Sequence, residues 1–164
     1  MILAGTGHRP DKLGGYESEA ENRRIHYAES ILPSYQPSKM ILGFALGWDT
    51  ALAHACVRLN IPFIAAIPFV GQEKPWHKEA QETYHLLLSK AIEVVIVSPG
   101  VYHPGKLSRR NEWMVDRSTA VLALWDGSKG GTANCVKYAE KVSVPVFNVW
   151  PGWLNELEDL TCGV

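Results

Sequence analysis

Three glycine-bearing segments carry the residues best suited to gripping an anion: Gly5-Thr6-Gly7-His8-Arg9-Pro10, Gly43-Phe44-Ala45-Leu46-Gly47-Trp48-Asp49-Thr50 and Asp126-Gly127-Ser128-Lys129-Gly130-Gly131-Thr132. Glycine lets the backbone approach a ligand closely, and N–H groups in such bends cradle a phosphate or a ribose. One such bend is explained by the turn alone; three at one edge of a sheet point to a ligand site. Arg110 adds a guanidinium that can hold two phosphate oxygens at once, whereas Arg109 beside it reads as a solvated helix charge. His8 and Arg9 stand where a phosphate or a base would be met, and Thr132 offers a hydroxyl and a helix N-terminal amide. Of the six tryptophans, Trp48 and Trp76 are the expected stacking partners of a base, while Trp113, Trp125 and Trp153 read as core or interface.

Several familiar chemistries are missing. Gly5-Thr6-Gly7 does not continue as G-x-G-x-x-G, no G-x-x-x-x-G-K-[ST] occurs, and no acidic residue ends the second strand to hold a ribose, which argues against a dehydrogenase or a P-loop NTPase. The six histidines contain no H-E-x-x-H, and His77 and His85 lie too far apart on a helix to share one ion, so no metal site is expected; Mg²⁺ enters only as the companion of a phosphorylated ligand. Cys56, Cys135 and Cys162 form no C-x-x-C pair and read as reduced thiols.

Short β-branched runs alternate with amphipathic stretches, the pattern of a parallel sheet wrapped by helices. Six strands are expected, at Ile2-Ala4, Lys39-Phe44, Pro62-Ile67, Glu93-Val97, Ala120-Trp125 and Val144-Val149. The first helix carries Ile25, Ala28, Ile31 and Leu32 and is expected to stop at Pro33. A second carries Ala51, Leu52, Ala55, Cys56 and Leu59, with Asp49 in its opening turn. A third begins near Pro75 and buries Ala80, Tyr84, Leu87 and Leu88; a fourth follows Ser108 as N-cap; a fifth follows Gly130-Gly131-Thr132 with Val136, Ala139 and Val142 inward. The tail from Trp150 holds Trp153, Leu154, Leu157 and Leu160, a short helix that would pack on the body or on a second subunit. In open sheets of this kind ligands bind outside the carboxyl ends of the strands, where all three glycine segments fall.

The 164 residues amount to one domain without linker or repeat, able to bury a core without disulfides. Sixteen Lys+Arg against 17 Asp+Glu leave a net charge of -1, so no bulk attraction draws the chain to nucleic acid or anionic membrane. With 46% hydrophobic and 20% charged residues it is neither disordered nor fibrous. The opening Met1-Ile2-Leu3-Ala4-Gly5 lacks a basic n-region and a long apolar run, and no membrane-spanning stretch occurs, so a cytoplasmic location is expected.

Thr6-Gly7-His8-Arg9-Pro10-Asp11-Lys12-Leu13-Gly14 resembles the start of YpsA-type proteins, and Pro68-Phe69-Val70-Gly71-Gln72-Glu73-Lys74-Pro75-Trp76 resembles their P-F-x-x-Q-E-x-x-W segment. The stretch Ala45-Leu46-Gly47-Trp48-Asp49-Thr50-Ala51-Leu52-Ala53-His54 is similar to the L-A-x-G-I-D-x-x-A-H segment of DprA-like proteins. Arg110-Asn111-x-x-Met114, followed by a strand and Gly130-Gly131-Thr132, is similar both to those proteins and to the LOG phosphoribohydrolases. Together these likenesses imply the SLOG superfamily, and with it a Rossmann-like three-layer α/β/α sandwich on a mainly parallel sheet of about six strands that binds nucleotides, nucleotide-derived signals or DNA. The resemblance puts Arg110 in the family's arginine position. It also exposes a departure: LOG enzymes carry a glutamate in G-G-x-G-T-x-x-E, where this chain has Cys135. Cleaving an N-glycosidic bond passes through an oxocarbenium-like state that a carboxylate stabilises, so its loss argues against that reaction unless Asp126, Glu112 or Asp49 substitutes. Asp126 is read rather as a turn former or a ribose holder. The resulting expectation is a sensing, sequestering or regulatory module. The Gly5–Gly7 and Gly130–Thr132 amides, with Arg110, take the phosphate of a nucleotide-type ligand. Residues of the Gly43–Thr50 loop, among them Gly43, Gly47, Trp48 and Asp49, contact its sugar or base together with Asp126, and Trp76 and Asn111 are further expected ligand contacts. The alternatives are a nucleotide N-glycosidase, and single-stranded DNA binding in the DprA manner, against which the charge balance argues. A homo-oligomer is an expectation by analogy alone.

Overall fold

Six apolar runs pair into one sheet of wholly parallel strands, ordered β4-β3-β2-β1-β5-β6. The strands are β1 (Ile2–Gly7), β2 (Lys39–Leu42), β3 (Phe63–Ile67), β4 (Glu93–Ile96), β5 (Ala120–Leu124) and β6 (Val146–Asn148). Between and after them run α1 (Ser18–Tyr35), α2 (Trp48–Leu59), α3 (Lys78–Leu88), α4 (Gly105–Asp116), α5 (Gly131–Lys141) and α6 (Trp150–Cys162). The computed structural model describes residues 1–162, the side chains of 161 and 162 excepted, so the expected state of the Cys162 thiol lies outside the described residues.

Strands covered on both faces must be apolar throughout, and β5 is buried at every position. One core packs Leu3, Leu42, Leu52, Phe63, Leu122 and Trp153 on the side of α1 and α2. The other packs Ala4, Ile41, Ala66, Met114, Val121 and Val136 against α4 and α5. The chain runs outward from β1 to β4, then returns to lay β5 on the other side of β1. Helices leaving β1 and β5 therefore pack on opposite faces, and a crevice opens where the order reverses. No described helix is long and apolar enough to cross a membrane.

Several boundaries differ from expectation. Strand β1 runs three residues further, pairing Gly5, Thr6 and Gly7 with Leu122, Ala123 and Leu124. Helix α1 passes through Pro33 and ends at Tyr35, where Gln36 turns to φ 46° and its N–H bonds the Pro33 carbonyl. Proline this close to a helix end forfeits one hydrogen bond without forcing the chain out of its path. Helix α4 begins before Ser108, because Pro104 already holds helical dihedrals and the His103 ring nitrogen accepts the Gly105 N–H at 3.1 Å. The tail forms α6 and packs on the body: Trp153 is buried with its ring 5.6 Å from Tyr27.

Candidate functional site

The order reversal leaves a cleft of about 300 Å³ at the carboxyl ends of β1 and β5. The end of β1 and the short turn after it supply Thr6, His8, Arg9, Asp11 and Lys12, and the β5–α5 loop supplies Ser128 to Ala133. Ala45 and Asp49 enter from the start of α2, and Leu107, Arg110, Asn111 and Met114 from α4. A larger hollow of about 490 Å³ lies between α1 and α6; Trp153, Leu157 and Leu160 of the tail line it, but none of the residues expected to touch a ligand does.

Of the residues marked in the sequence, Gly5, Thr6, Gly7, His8, Arg9, Asp49, Arg110, Asn111, Gly130, Gly131 and Thr132 line the cleft. Their roles differ in part. Gly5 and Gly7 belong to a strand, not a turn, and lack Cβ atoms because α2 crosses them: a Cβ at Gly5 would stand 2.5 Å from Leu52, and one at Gly7 2.5 Å from Trp48. Gly47, at φ 92°, lets α2 start against the end of β1, since a Cβ there would lie 2.5 Å from the His8 carbonyl oxygen. Gly43 makes room for the Arg110 guanidinium. These glycines serve close packing, and Gly43 and Gly47 do not line the cleft.

Both proposed stacking tryptophans are placed elsewhere. Trp48 is the first residue of α2 and wholly buried, tilted against Tyr27 at 5.8 Å, while Trp76 packs edge-on against Tyr84 at 5.4 Å. Glu112 is exposed on α4 and does not line the cleft. Asp126 stands behind its rim. Its Oδ1 accepts from the Ser128 N–H at 2.9 Å and from the Ser128 hydroxyl at 2.5 Å, and lies 2.8 Å from His8 Nε2. Hydrogen bonds from Ser128, reinforced by His8, hold this carboxyl far below the usual carboxylate range. His8 Nε2 also lies 2.9 Å from the Asp126 backbone N–H, so the ring proton decides which of the two contacts is a hydrogen bond. Either way Asp126 is a fixed turn anion that cannot deliver a proton near neutrality.

Helix α5 opens at Gly130 with φ 144°, and no side chain caps it. Its first amides keep their hydrogens free of intrahelical partners and, with the positive end of the helix dipole, form an anion cradle. Cβ atoms at Gly130 and Gly131 would meet nothing within 4 Å, so the approach is open. Lys12 and Lys129 line the same end of the cleft. Neither lysine was singled out in the sequence; the signal for Lys129 was its place inside the third glycine segment. Cys135, in the place of the LOG glutamate, is buried, and burial pushes its thiol up to about 11, so it stays protonated and is no nucleophile.

Arg110 is a buried ligand of the backbone: Nη1 donates to the carbonyls of Gly43 at 2.5 Å and Ala66 at 3.4 Å, and Nε to Asn111 Oδ1 at 3.1 Å. Asp49 accepts the Ala45 N–H on Oδ2 at 3.2 Å, and burial pushes its carboxyl up to about 6 against the opposing pull of Arg110. Among the described residues no group of three or more His, Cys, Asp or Glu side chains is arranged to hold a metal.

A parallel sheet of this order, with glycine segments and a helix N-terminus meeting over β1 and β5, defines a Rossmann-like α/β protein. The chain belongs to the YpsA family, described as the YspA SLOG family, whose model matches residues 3–145. It is 36% identical over 138 residues to the uncharacterized SPbeta prophage-derived protein YoqJ of Bacillus subtilis (strain 168), covering 74% of this chain and 80% of that one. It is 22% identical over 172 residues to a UPF0398 protein of Bacillus cereus (strain G9842), covering 97% and 94%. Among solved structures the fold is similar to DNA processing protein A from Helicobacter pylori, described for its single-stranded DNA binding, at TM-score 0.63 and 17% identity over 90% of this chain. It is also similar to DprA from Streptococcus pneumoniae, at TM-score 0.61 and 17% identity over 98%. The chain spans 64% and 56% of those two longer proteins.

Proposed function

We propose that this protein binds a nucleotide or nucleotide-derived ligand in the β1–β5 cleft and acts as a sensing, sequestering or regulatory module. The observation that carries the reading is the uncapped, unobstructed start of α5 facing a cleft flanked by Lys12 and Lys129. A phosphate there meets backbone N–H groups, a helix dipole and two lysines, of which Lys12 is hydrogen-bonded to Ser128 and paired with Asp126 at 3.8 Å. This revises the role expected of Arg110: with Nη1 and Nε committed, it is a fixture of the floor rather than the main phosphate clamp. The volume lies at the lower end of the roughly 300–1,000 Å³ of small-molecule sites, a fit to one nucleotide unit.

Binding without turnover is favoured because neither Asp126 nor Glu112 lines the cleft and Cys135 is buried as a thiol. One observation supports the N-glycosidase reading: Asp49 lines the cleft with a carboxyl raised to about 6, within the range of a general acid. Calorimetry with nucleoside monophosphates, ADP-ribose and cyclic nucleotides, followed by chromatography, separates the two. The expected result is saturable binding with no free base. Base released by wild type and not by Asp49→Asn establishes the enzyme instead; flat titrations across the panel refute both.

A further inference from the structure

Asp49 and Arg110 are opposite charges in the floor of the cleft, each only 6% exposed. Each feels the other's field more strongly than that of any other charged group, yet no salt bridge joins them among the described residues. Their hydrogen bonds leave one atom over on each side. Arg110 uses Nη1 and Nε and makes no bond through Nη2; Asp49 uses Oδ2 and accepts none on Oδ1. Neither atom is among the fully buried polar atoms that lack a partner, and both residues line the cleft.

Two buried opposite charges held apart forfeit the direct attraction that would offset their desolvation, and the arrangement is completed by a group hydrogen-bonded to both. Such a group must accept from a guanidinium N–H and donate to a carboxylate. An alcohol does both through one oxygen; a phosphate only accepts, and would face the Asp49 carboxylate. With the phosphate at the start of α5, the hydroxyls left to turn toward the floor are those of the sugar. We propose that Asp49 and Arg110 bridge a ribose hydroxyl and make the site selective for ribonucleotides over their 2′- or 3′-deoxy counterparts. The inference rests on the nucleotide reading above and narrows it to ligands with a free ribose hydroxyl. The competing occupant is a nucleobase edge that sets a donor beside an acceptor.

The test is calorimetry with AMP, GMP, CMP and UMP and the matched 2′-deoxy and 3′-deoxy monophosphates. Hydrogen bonds to charged groups are worth enough that removing the bridging hydroxyl should weaken binding by about 10- to 100-fold. In Asp49→Asn, whose amide oxygen still accepts the Ala45 N–H, the discrimination should shrink to within about threefold, while inorganic pyrophosphate binds as to wild type. If a ribonucleotide binds and both deoxy forms bind equally well, or if discrimination follows the base and ignores the sugar, the bridge is refuted and the nucleotide site stands. If no monophosphate binds, the bridge is refuted, and the nucleotide reading falls with it when ADP-ribose and the cyclic nucleotides also give flat titrations. Should Asp49→Asn not fold, the wild-type comparison decides alone.

Discussion

At the scale of single residues, two carboxylates in one neighbourhood are driven in opposite directions. Asp126 is lowered by hydrogen bonds from Ser128 and the nearby His8, and Asp49 is raised by burial to about 6. A lowered carboxyl stabilises the fold above its unfolded pKa, and that contribution is lost as pH falls. A raised one acts in reverse: between the unfolded value near 4 and about 6 the native state holds the extra proton, so stability drops as pH rises through that window. Comparing wild type with Asp49→Asn cancels every other group. On going from pH 4 to pH 7 the difference in unfolding free energy should move against wild type by about 2–3 kcal/mol, taking roughly 1.4 kcal/mol per pKa unit. Urea titrations across this range measure it, and a parallel pair of pH profiles would show that Asp49 ionises normally. The residue types at these positions were legible in the sequence. Their burial was not, because it depends on Gly43 and Ala66, far from Arg110 in the chain, turning their carbonyls toward one guanidinium.

At the scale of elements, glycines that look alike in sequence do different work. Gly7 lies in β1 beneath Trp48 of α2, and a methyl group there would force Trp48 or the strand aside. Gly7→Ala should therefore lower stability by about 1–3 kcal/mol, as over-packing of a filled core does. Gly131 is the first residue of α5 and opens onto empty space. Gly131→Ala should leave the unfolding free energy within about 0.5 kcal/mol of wild type or above it, since alanine is the better helix former. Its methyl group nevertheless stands where phosphate must approach, so affinity for phosphorylated nucleotides should fall at least about tenfold while Tm holds. Thermal melts and calorimetry on the two variants separate packing from binding. If Gly131→Ala binds like wild type, the anion does not contact the start of α5. The six strands were legible from β-branched runs, but the extension of β1 through Gly5-Thr6-Gly7 was not, because glycine weakens a strand signal and here it is the crossing of α2 that calls for it.

At the scale of the whole molecule, shape and charge point apart. The fold is similar to two DprA proteins, one of them described for single-stranded DNA binding, whereas this chain carries a net charge of -1. Binding a polyanion relies on counterion release by several cations along a groove, and of the chain's Lys and Arg residues only Arg9, Lys12, Arg110 and Lys129 line the cleft. Electrophoretic mobility of a single-stranded oligonucleotide should be unchanged by the protein at low salt. A shift that weakens steeply with added salt would restore the DNA-binding reading. A cleft ligand at 100 times its Kd should add about 2.7 kcal/mol to stability, visible as a raised Tm.

Alternating apolar runs and amphipathic stretches are local properties, so the chain alone determined a parallel α/β sandwich with its glycine segments at one edge. The motifs around Gly7, Asp49, Arg110 and Gly130 determined the family. Only the tertiary structure decided which glycines line the cleft and which press on a helix, that Trp48 and Trp76 pack against tyrosines, and that Asp49 and Arg110 both stand in the cleft floor. Those outcomes depend on contacts between distant segments, and no local pattern records the distance between two side chains brought together by a crossover.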